Sequence, residues 1–596
     1  MALVSVSEFT DRAKHAFTRF PVTIVWATLG SLYCIYKIEG DSVHFFEKEA
    51  AVLLTLVLGI SWLMASQFFI EQRASQKYWK WAKGIVLVLL VAFYLHLPDF
   101  EKYPVNPEFI FRFFILLIAG HLFVFFAPFV VTWNKNAYWN YLKNLGYALL
   151  RSAFFSGVLF LGLVLALQAI KALFTIRIPD HSFGQLFVFC LGIVHTWIYL
   201  SDFPKNRGSQ NVIHYNKALE IFVTYILIPL ILLYLIILYA YSIKIVFYWE
   251  LPQGWVSYLV TVLALLGFSV QVMIHPVEKD LKSWLINRFH PWFYIFLLPL
   301  IVLLFVAIFR RILDYGITEN RYIVLLMAIW ILGITLYLLL NKTKKLKILP
   351  YTLFVLILVA SFGFWGVFEV SKKSQLRQFK KVFEHVTANG NLASEAQYAQ
   401  LESILSYLHE RESLAALDEM MGIPLSKKNN DTLMTDTTKR NYVDTRRILD
   451  ALKITLDPNE ATTIQNTVKY FSYYNDHQTK DYNIEGYTHL VPINLTNNTD
   501  LKQKIGRFIS ALDLQKQSVI LSTNRTEKVL EIDFQDKLRT LLSYGNYPEK
   551  VPPSEMILYA HNDSLALKLI LTQLSFYSTQ DSINLTNIEG LLLLKQ

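Results

Sequence analysis

The sequence contains little charge and little cysteine. Only 17% of its 596 residues are charged, 54% are hydrophobic, and the mean hydropathy is +0.36. A chain of this composition is neither intrinsically disordered nor an ordinary soluble protein. The two cysteines, Cys34 and Cys190, lie in apolar segments, which excludes a disulfide framework or a thiolate metal site in the polar part of the chain. These features indicate a membrane protein.

The usual catalytic and nucleotide-binding motifs are absent from the sequence. It contains no G-x-x-x-x-G-K-[ST] phosphate loop, no G-x-S-x-G nucleophile elbow and no H-E-x-x-H pair of zinc ligands. The histidines of the polar region are scattered: His385, His409, His477, His489 and His561. We therefore predict no cofactor and no metal site, and we favour a non-enzymatic function over an enzymatic one.

Long apolar runs are abundant in the first 370 residues. A membrane helix needs roughly 20 apolar residues, and continuous runs of this length favour helices over a membrane β-barrel. Eleven spans are predicted, at 21–38, 51–70, 82–98, 108–131, 147–170, 183–200, 218–243, 255–275, 291–309, 322–340 and 348–370. The third is short and begins with Lys83, so a partial insertion is the alternative for it. The first has a basic stretch before it and no small-residue cleavage site after it, which predicts a retained span.

The basic residues are distributed unevenly between the connections. Residues 1–370 have a formal charge of +11 and residues 371–596 of −1. Alternate connections hold 19 Lys and Arg residues on one side of the predicted membrane and nine on the other. The positive-inside rule then predicts a cytoplasmic amino terminus and an extracytoplasmic carboxy-terminal domain. Five basic residues between Lys372 and Lys381 oppose this orientation. Because the basic excess accompanies the spans, we predict contact with membrane lipids and no nucleic acid partner.

The region 371–596 has the composition of a soluble domain. Apolar residues recur at helical spacing in 371–386, 394–410 and 442–452. Short apolar or alternating runs then predict strands at 485–495, 517–523, 527–534, 555–561 and 590–595, with one helix near 533–545. The predicted fold is a polytopic α-helical membrane bundle, residues 1–370, followed by an α+β domain, residues 371–596.

Few polar side chains lie deep in the predicted spans. An ionisable residue in a membrane helix is costly unless it is paired or hydrated, so each is a candidate for a pathway or a structural pair. The candidates are Arg112, His121, Arg151 and His195, with Gln168 and Gln271 as possible hydrogen-bonding residues between helices. No Asp or Glu lies well inside a span, which disfavours an ion-coupled transporter.

The most distinctive local sequence is "RRILDYGITENRY", residues 310–322. Gly316 can form a tight turn and Thr318 can cap the following helix. Asp314 and Glu319 can pair with Arg310, Arg311 or Arg321. We favour a salt-bridged helix cap, and the same residues could instead bind a lipid phosphate or another anion.

This segment and three apolar stretches resemble one family. The stretches are "YILIPLILLYLIILYAYSIKI" (225–245), "WELPQGWVSYLV" (249–260) and "RYIVLLMAIWILGITLYLL" (321–339). The chain resembles an uncharacterised family of bacterial polytopic membrane proteins, the domain of unknown function numbered four-one-five-three, most closely over residues 218–370. The resemblance implies a bacterial inner membrane, and it supplies no activity, substrate or cofactor.

Three functional hypotheses follow. The first is an inner-membrane binding, sensing or scaffold protein, whose periplasmic domain binds an envelope protein or a small-molecule ligand. The second is a transporter or channel for a small solute or lipid that uses the polar residues within the spans. The third is an enzyme acting on a lipid-linked substrate near Arg310, Asp314, Glu319 and Arg321. The oligomeric state cannot be predicted from the sequence.

Overall fold

The computed structural model describes most of the chain. The described residues are 6–40, 44–72, 79–98, 100, 107–174, 176–203, 212–213, 215–248, 255–276, 284–341, 343–421, 445–457, 469–475, 484–496, 503–505, 508–513, 517–523, 527–542, 544, 551–562, 564–578 and 583–595.

The amino-terminal part is a bundle of apolar helices. Among the described residues, nine helices are long and apolar enough to cross a membrane. Two further apolar helices, α4 and α12, are shorter. An amphipathic helix, α1 (Val6–Arg19), precedes these eleven. The eleven are α2 (Pro21–Gly40), α3 (Phe45–Glu71), α4 (Trp81–His96), α5 (Pro107–Phe126), α6 (Lys135–Phe174), α7 (His181–Ser201), α8 (residues 217–248), α9 (Trp255–Ile274), α10 (Trp284–Tyr315), α11 (Glu319–Leu340) and α12 (Ile348–Ser361). The polytopic α-helical fold predicted from the apolar runs is confirmed.

Two helices of the bundle contain a π-helical segment. These segments are Phe189–His195 within α7 and Phe222–Leu227 within α8. The apolar surface of the bundle faces outward on several helices, and only 6% of the apolar window of α6 is buried inside the protein. Such a surface is compatible with lipid contact.

Polar contacts between connections define a first end of the bundle. The Arg19 guanidinium forms an ion pair of 2.9 Å with Glu71 and donates a hydrogen bond of 3.0 Å to the Phe203 carbonyl. The next residue, Gln72, donates to the Ala127 carbonyl at 2.8 Å. The start of α2 and the ends of α3, α5 and α7 therefore meet at one end.

A second end is defined by contacts at the opposite termini of these helices. The Arg112 guanidinium near the start of α5 lies 4.8 Å from the centroid of the Phe368 ring. The Tyr322 hydroxyl near the start of α11 donates to the Trp365 carbonyl at 2.7 Å. The chain after α12 therefore lies at the same end as the α10–α11 turn.

The two shorter helices, α4 and α12, also run from the first end of the bundle towards the second. Trp79, just before α4, packs on Phe69 near the first end, and His96, its last residue, packs on Phe109 near the second. For α12, the Lys347 ammonium before its first residue donates to the Phe129 carbonyl at the first end. Its 14 residues span about 21 Å, and the segment after it completes the path to the second end.

The eleventh predicted span differs from the structure in its boundaries. It was expected to be continuous over 348–370, but α12 ends at Ser361 and a new helix begins at Val367. Gly363 has a φ of +84°, which L side chains rarely adopt. The Gly366 amide donates to the Gly363 carbonyl at 2.9 Å, and a side chain on Gly366 would collide with that oxygen. These two glycines turn the chain within an otherwise apolar run.

Four helices and a short two-stranded sheet follow the turn. They are α13 (Val367–Ala388), β1 (Leu392–Ala393), α14 (Glu395–Glu410), α15 (Leu414–Met421), α16 (Thr445–Ala451) and β2 (Thr455–Leu456). The chain forms two compact units, residues 1–392 with 396–455, and residues 393–395 with 456–596. Helices α13–α16 therefore belong to the same compact unit as the membrane helices. The division predicted after residue 370 is based on composition and marks where the apolar runs end.

The second unit is rich in β-structure. Its strands are β3 (Lys469–Tyr474), β4 (His489–Thr496), β5 (Gln503–Ile505), β6 (Phe508–Asp513), β7 (Ser518–Thr523), β8 (Glu527–Asp533), β9 (Ile557–His561), β10 (Ala566–Ser578) and β11 (Ile583–Lys595), and its helix is α17 (Gln535–Leu542). One sheet has the order β3-β10-β11-β4, with β9 also paired to β10, and the other has the order β5-β6-β7-β8. All pairings in these two sheets are antiparallel.

One apolar core lies between these two sheets. It combines Phe471 and Ile493 of the first sheet with Val519 and Ile532 of the second, and Leu538 of α17 covers one side. Two antiparallel sheets commonly pack face to face, so that the apolar side chains of both inner faces form one core. The predicted α+β fold of the carboxy-terminal part, with helices first and a β-rich region after them, is therefore confirmed.

Candidate functional site

The turn between α10 and α11 is the centre of the candidate site. Gly316 has a φ of +73°, and its amide donates to the Ile312 carbonyl at 2.9 Å, which ends α10. Thr318 precedes α11 in an extended conformation, at the position of the predicted cap. Its side chain accepts no capping hydrogen bond. The turn is thus formed by the backbone, and the Thr318 hydroxyl is available for other contacts.

Helices α13 and α14 cover this turn with polar side chains. The last carbonyls of a helix have no partner within the helix and need one from elsewhere. Gln375 on α13 donates to the carbonyls of Tyr315 (3.1 Å) and Ile317 (3.0 Å). The Asp314 carbonyl accepts hydrogen bonds from Gln378 (3.0 Å) and from Gln400 on α14 (3.1 Å). The end of α10 is therefore completed by helices more than 50 residues away in sequence.

Glu319 is the acidic residue of a buried charge cluster. Its carboxylate accepts hydrogen bonds from Arg411 at 2.7 and 3.2 Å and from the Tyr407 hydroxyl at 2.9 Å. The exposed fractions of the Glu319 and Arg411 side chains are 8% and 18%. Burial raises the pKa of Tyr407, and the neighbouring Glu319 charge raises it further. Burial is the largest single influence on the pKa of Arg411 and lowers it, but the contacts with Glu319 and the charges of Tyr407 and Glu410 together raise the pKa above its usual value. The cluster fixes α14 to the first turn of α11.

The arginines of the turn have separate environments. Arg310 pairs with Asp314 at 3.0 Å, one helical turn away, and both side chains are exposed. Arg321 donates through Nη1 to the carbonyls of Tyr315 (3.2 Å) and Gly316 (2.8 Å). Arg311 and Arg321 both line a small polar cavity. Glu319, by contrast, pairs with Arg411 and with none of the three arginines considered from the sequence.

The polar residues within the membrane helices do not form one group. Arg112 pairs with Glu108 of its own helix at 2.6 Å, and a ring nitrogen of His121 lies 2.8 Å from the Leu117 carbonyl, also on its own helix. The other polar residues have different partners. Arg151 pairs with Asp202 at 3.3 Å, and His195 lies 3.1 Å from the Ser152 hydroxyl. Gln271 accepts a hydrogen bond of 2.7 Å from the Tyr294 hydroxyl, and Gln168 is exposed on α6.

The side chains of α13 and α14 that contact the α10–α11 turn were not predicted from the sequence. Gln375, Gln400, Tyr407 and Arg411 approach the turn only in the folded protein, so local spacing cannot reveal them. A partial signal existed, because Tyr407 and Arg411 are four residues apart and therefore share one face of a predicted helix. Within the described part of the chain, no group of three or more His, Cys, Asp or Glu residues could hold a metal ion.

The comparisons with known proteins agree with the sequence resemblance. The model of a domain of unknown function, DUF4153, matches residues 104–397, a segment that includes the turn and all of α13. The resemblance to this family is thereby confirmed. An uncharacterised protein of Pasteurella multocida strain Pm70 is 26% identical over an alignment of 401 positions, which covers 64% of this chain and 62% of that protein. The match thus covers less than two thirds of the relative. No solved structure matches the chain.

Proposed function

We propose that this chain, which is similar to DUF4153 over residues 104–397, is a bacterial inner-membrane protein that binds an envelope partner through its extracytoplasmic carboxy-terminal region. The attachment of α13 and α14 to the α10–α11 turn is the observation that carries the proposal. Gln375, Gln400 and Arg411 hold the helices that follow the membrane bundle against one of its turns. These helices belong to the same compact unit as the membrane helices, and the β-rich unit follows them in the chain.

The orientation is supported by the positions of basic residues. Connections at the first end of the bundle contain most of the Lys and Arg residues, including Arg19, Lys143 and Lys347. Basic connections are retained in the cytoplasm. The second end, with α13 and α14, then lies outside the cytoplasm.

The β-rich unit offers strand edges for a protein partner. Among the described strands, β3 and β9 pair only with β10, so each has one unpaired edge. Tyr474 on β3 and Tyr559 on β9 have exposed fractions of 62% and 64%. An extended peptide can add to such an edge by main-chain hydrogen bonds, and exposed aromatic rings favour contact with a partner.

Photo-crosslinking in living cells tests this proposal. A photoreactive phenylalanine analogue replaces Tyr474 or Tyr559 of the full chain. The control carries the analogue at Phe247, a residue in the last turn of α8 whose exposed fraction is 82%. We expect a discrete protein adduct from at least one of the two tyrosine positions and none from Phe247. Full-length protein in the membrane without a protein adduct at either tyrosine would contradict the proposal.

A further inference from the structure

The cavity beside the α10–α11 turn has the composition of an anion site. Its volume is about 180 Å³, and it lies where the last turns of α10 meet the first turns of α9 and α11. Two aliphatic side chains form part of its wall. The polar side chains in its wall are Ser257, Tyr258, Arg311, Thr318, Asn320 and Arg321.

The two arginines of this cavity, Arg311 and Arg321, form no ion pair with a carboxylate in the described part of the chain. The adjacent Arg310, by contrast, is paired with Asp314. Two guanidinium groups around one small cavity repel each other, and an anion between them would remove this repulsion.

Arg321 also retains hydrogen-bond donors. Its Nη1 donates to the carbonyls of Tyr315 and Gly316, and within the described chain Nε and Nη2 make no hydrogen bond. A planar guanidinium with two adjacent donors matches the oxygens of a phosphate group.

The helix ends around the cavity add to its positive potential. Ser257 and Tyr258 are in the first turn of α9, and Asn320 is in the first turn of α11. Helix amino termini carry a partial positive charge and free amide donors. The one acidic side chain in the first turn of α11, Glu319, is bound by Arg411 and Tyr407, so it does not neutralise this charge.

We infer that this cavity binds a phosphate group. Arg311 and Arg321 bind its negative oxygens, and the hydroxyls of Ser257 and Thr318 donate further hydrogen bonds. The cavity volume is large enough for one phosphate group. The phosphate can belong to the head group of a membrane lipid or be free in solution, since both present the same oxygens. This site is independent of the partner proposed for the β-rich unit.

Lipid and phosphate binding by matched arginine variants tests the inference. Full-length protein in detergent is examined by native mass spectrometry with phosphatidylglycerol, and with inorganic phosphate in a separate titration. We compare Arg311→Gln with Arg310→Gln, a neighbouring substitution that removes the same charge but leaves the cavity wall intact. Asn320→Asp serves as a second variant, because it places a negative charge at an exposed position of the wall without removing a structural contact.

We expect Arg311→Gln to weaken binding roughly tenfold or more, because it removes charged hydrogen bonds to the phosphate oxygens. Asn320→Asp should also weaken binding, because its carboxylate repels the bound anion. Arg310→Gln should bind like the unmodified protein. Loss of phosphatidylglycerol adducts identifies a lipid site, and loss of inorganic phosphate binding alone identifies a site for a soluble phosphate. If all variants bind both probes equally, or if the unmodified protein binds neither, the inference is wrong.

Discussion

The pairing of Glu319 with Arg411 shows how one residue joins the membrane bundle to the helices that follow it. Burying two charges costs desolvation energy, and this cost is offset only when their geometry and hydrogen bonding are good. Both conditions are met, since two guanidinium nitrogens and the Tyr407 hydroxyl contact the carboxylate. Removing one member therefore leaves the other buried without its partner.

Replacing Glu319 with Gln should release α14 from the bundle. The substitution removes the charge that Arg411 requires, and we expect the free energy of local opening of α14 to fall by about 3 kcal/mol. Hydrogen exchange of the α14 amides, measured on the full chain in nanodiscs, reports this free energy.

Glu384→Gln is the matched control for this experiment. Glu384 lies 3.9 Å from Lys380, and both side chains are exposed. An exposed ion pair of this kind contributes little, so exchange should change by no more than about 0.5 kcal/mol. Equal effects of the two substitutions would show that the buried pair does not hold α14.

At the scale of elements, the α10–α11 turn depends on a glycine. A side chain at Gly316 would adopt a left-handed conformation, and its Cβ would lie 3.1 Å from Nε2 of Gln375 and 3.2 Å from Oγ of Ser374. The short distances to Gln375 and Ser374 would crowd the Cβ against α13, in addition to the backbone strain. The turn and its covering helix are therefore fitted to each other.

The Gly316→Ala variant should be less stable by about 1–2 kcal/mol, the cost of a left-handed conformation for a residue with a Cβ. Gly333→Ala is the control, because a Cβ at this position of α11 meets no atom within 4 Å. The loss of the folded peak in size-exclusion chromatography after heating measures the difference. A Gly333 variant less stable than the Gly316 variant would contradict the account of the turn.

The elements that the sequence predicts well are those with continuous apolar runs. Nine predicted spans form long helices because their length and hydropathy depend on local composition alone. The break after Ser361 was missed, because apolar residues continue through it and only Gly363 and Gly366 indicate a turn. Strands β3, β5, β6 and β10 were not predicted either, although "KYFSYY" of β3 alternates aromatic and polar residues for part of its length.

At the scale of the whole molecule, long-range contacts limit what the sequence reveals. The spacing of Asp314 and Arg310 predicts their ion pair, because both are on one helix face. The partner of Glu319 lies 92 residues away, and no periodicity encodes that distance. The family resemblance could be recognised from the membrane segments, but it carries no activity, so the functional proposals rest on the contacts of the folded chain.

We propose that the two ends of the bundle lie on opposite sides of the membrane, with the carboxy-terminal region outside the cytoplasm. Cysteine labelling of spheroplasts with a membrane-impermeant thiol reagent tests it most directly. The native Cys34 and Cys190 are buried, so their labelling should be low. Thr343→Cys, exposed before α12, reports on the first end, and Tyr559→Cys reports on the β-rich unit. We expect labelling of Tyr559→Cys before lysis and of Thr343→Cys only after lysis. Labelling of Thr343→Cys in intact spheroplasts, with Tyr559→Cys protected, would contradict it.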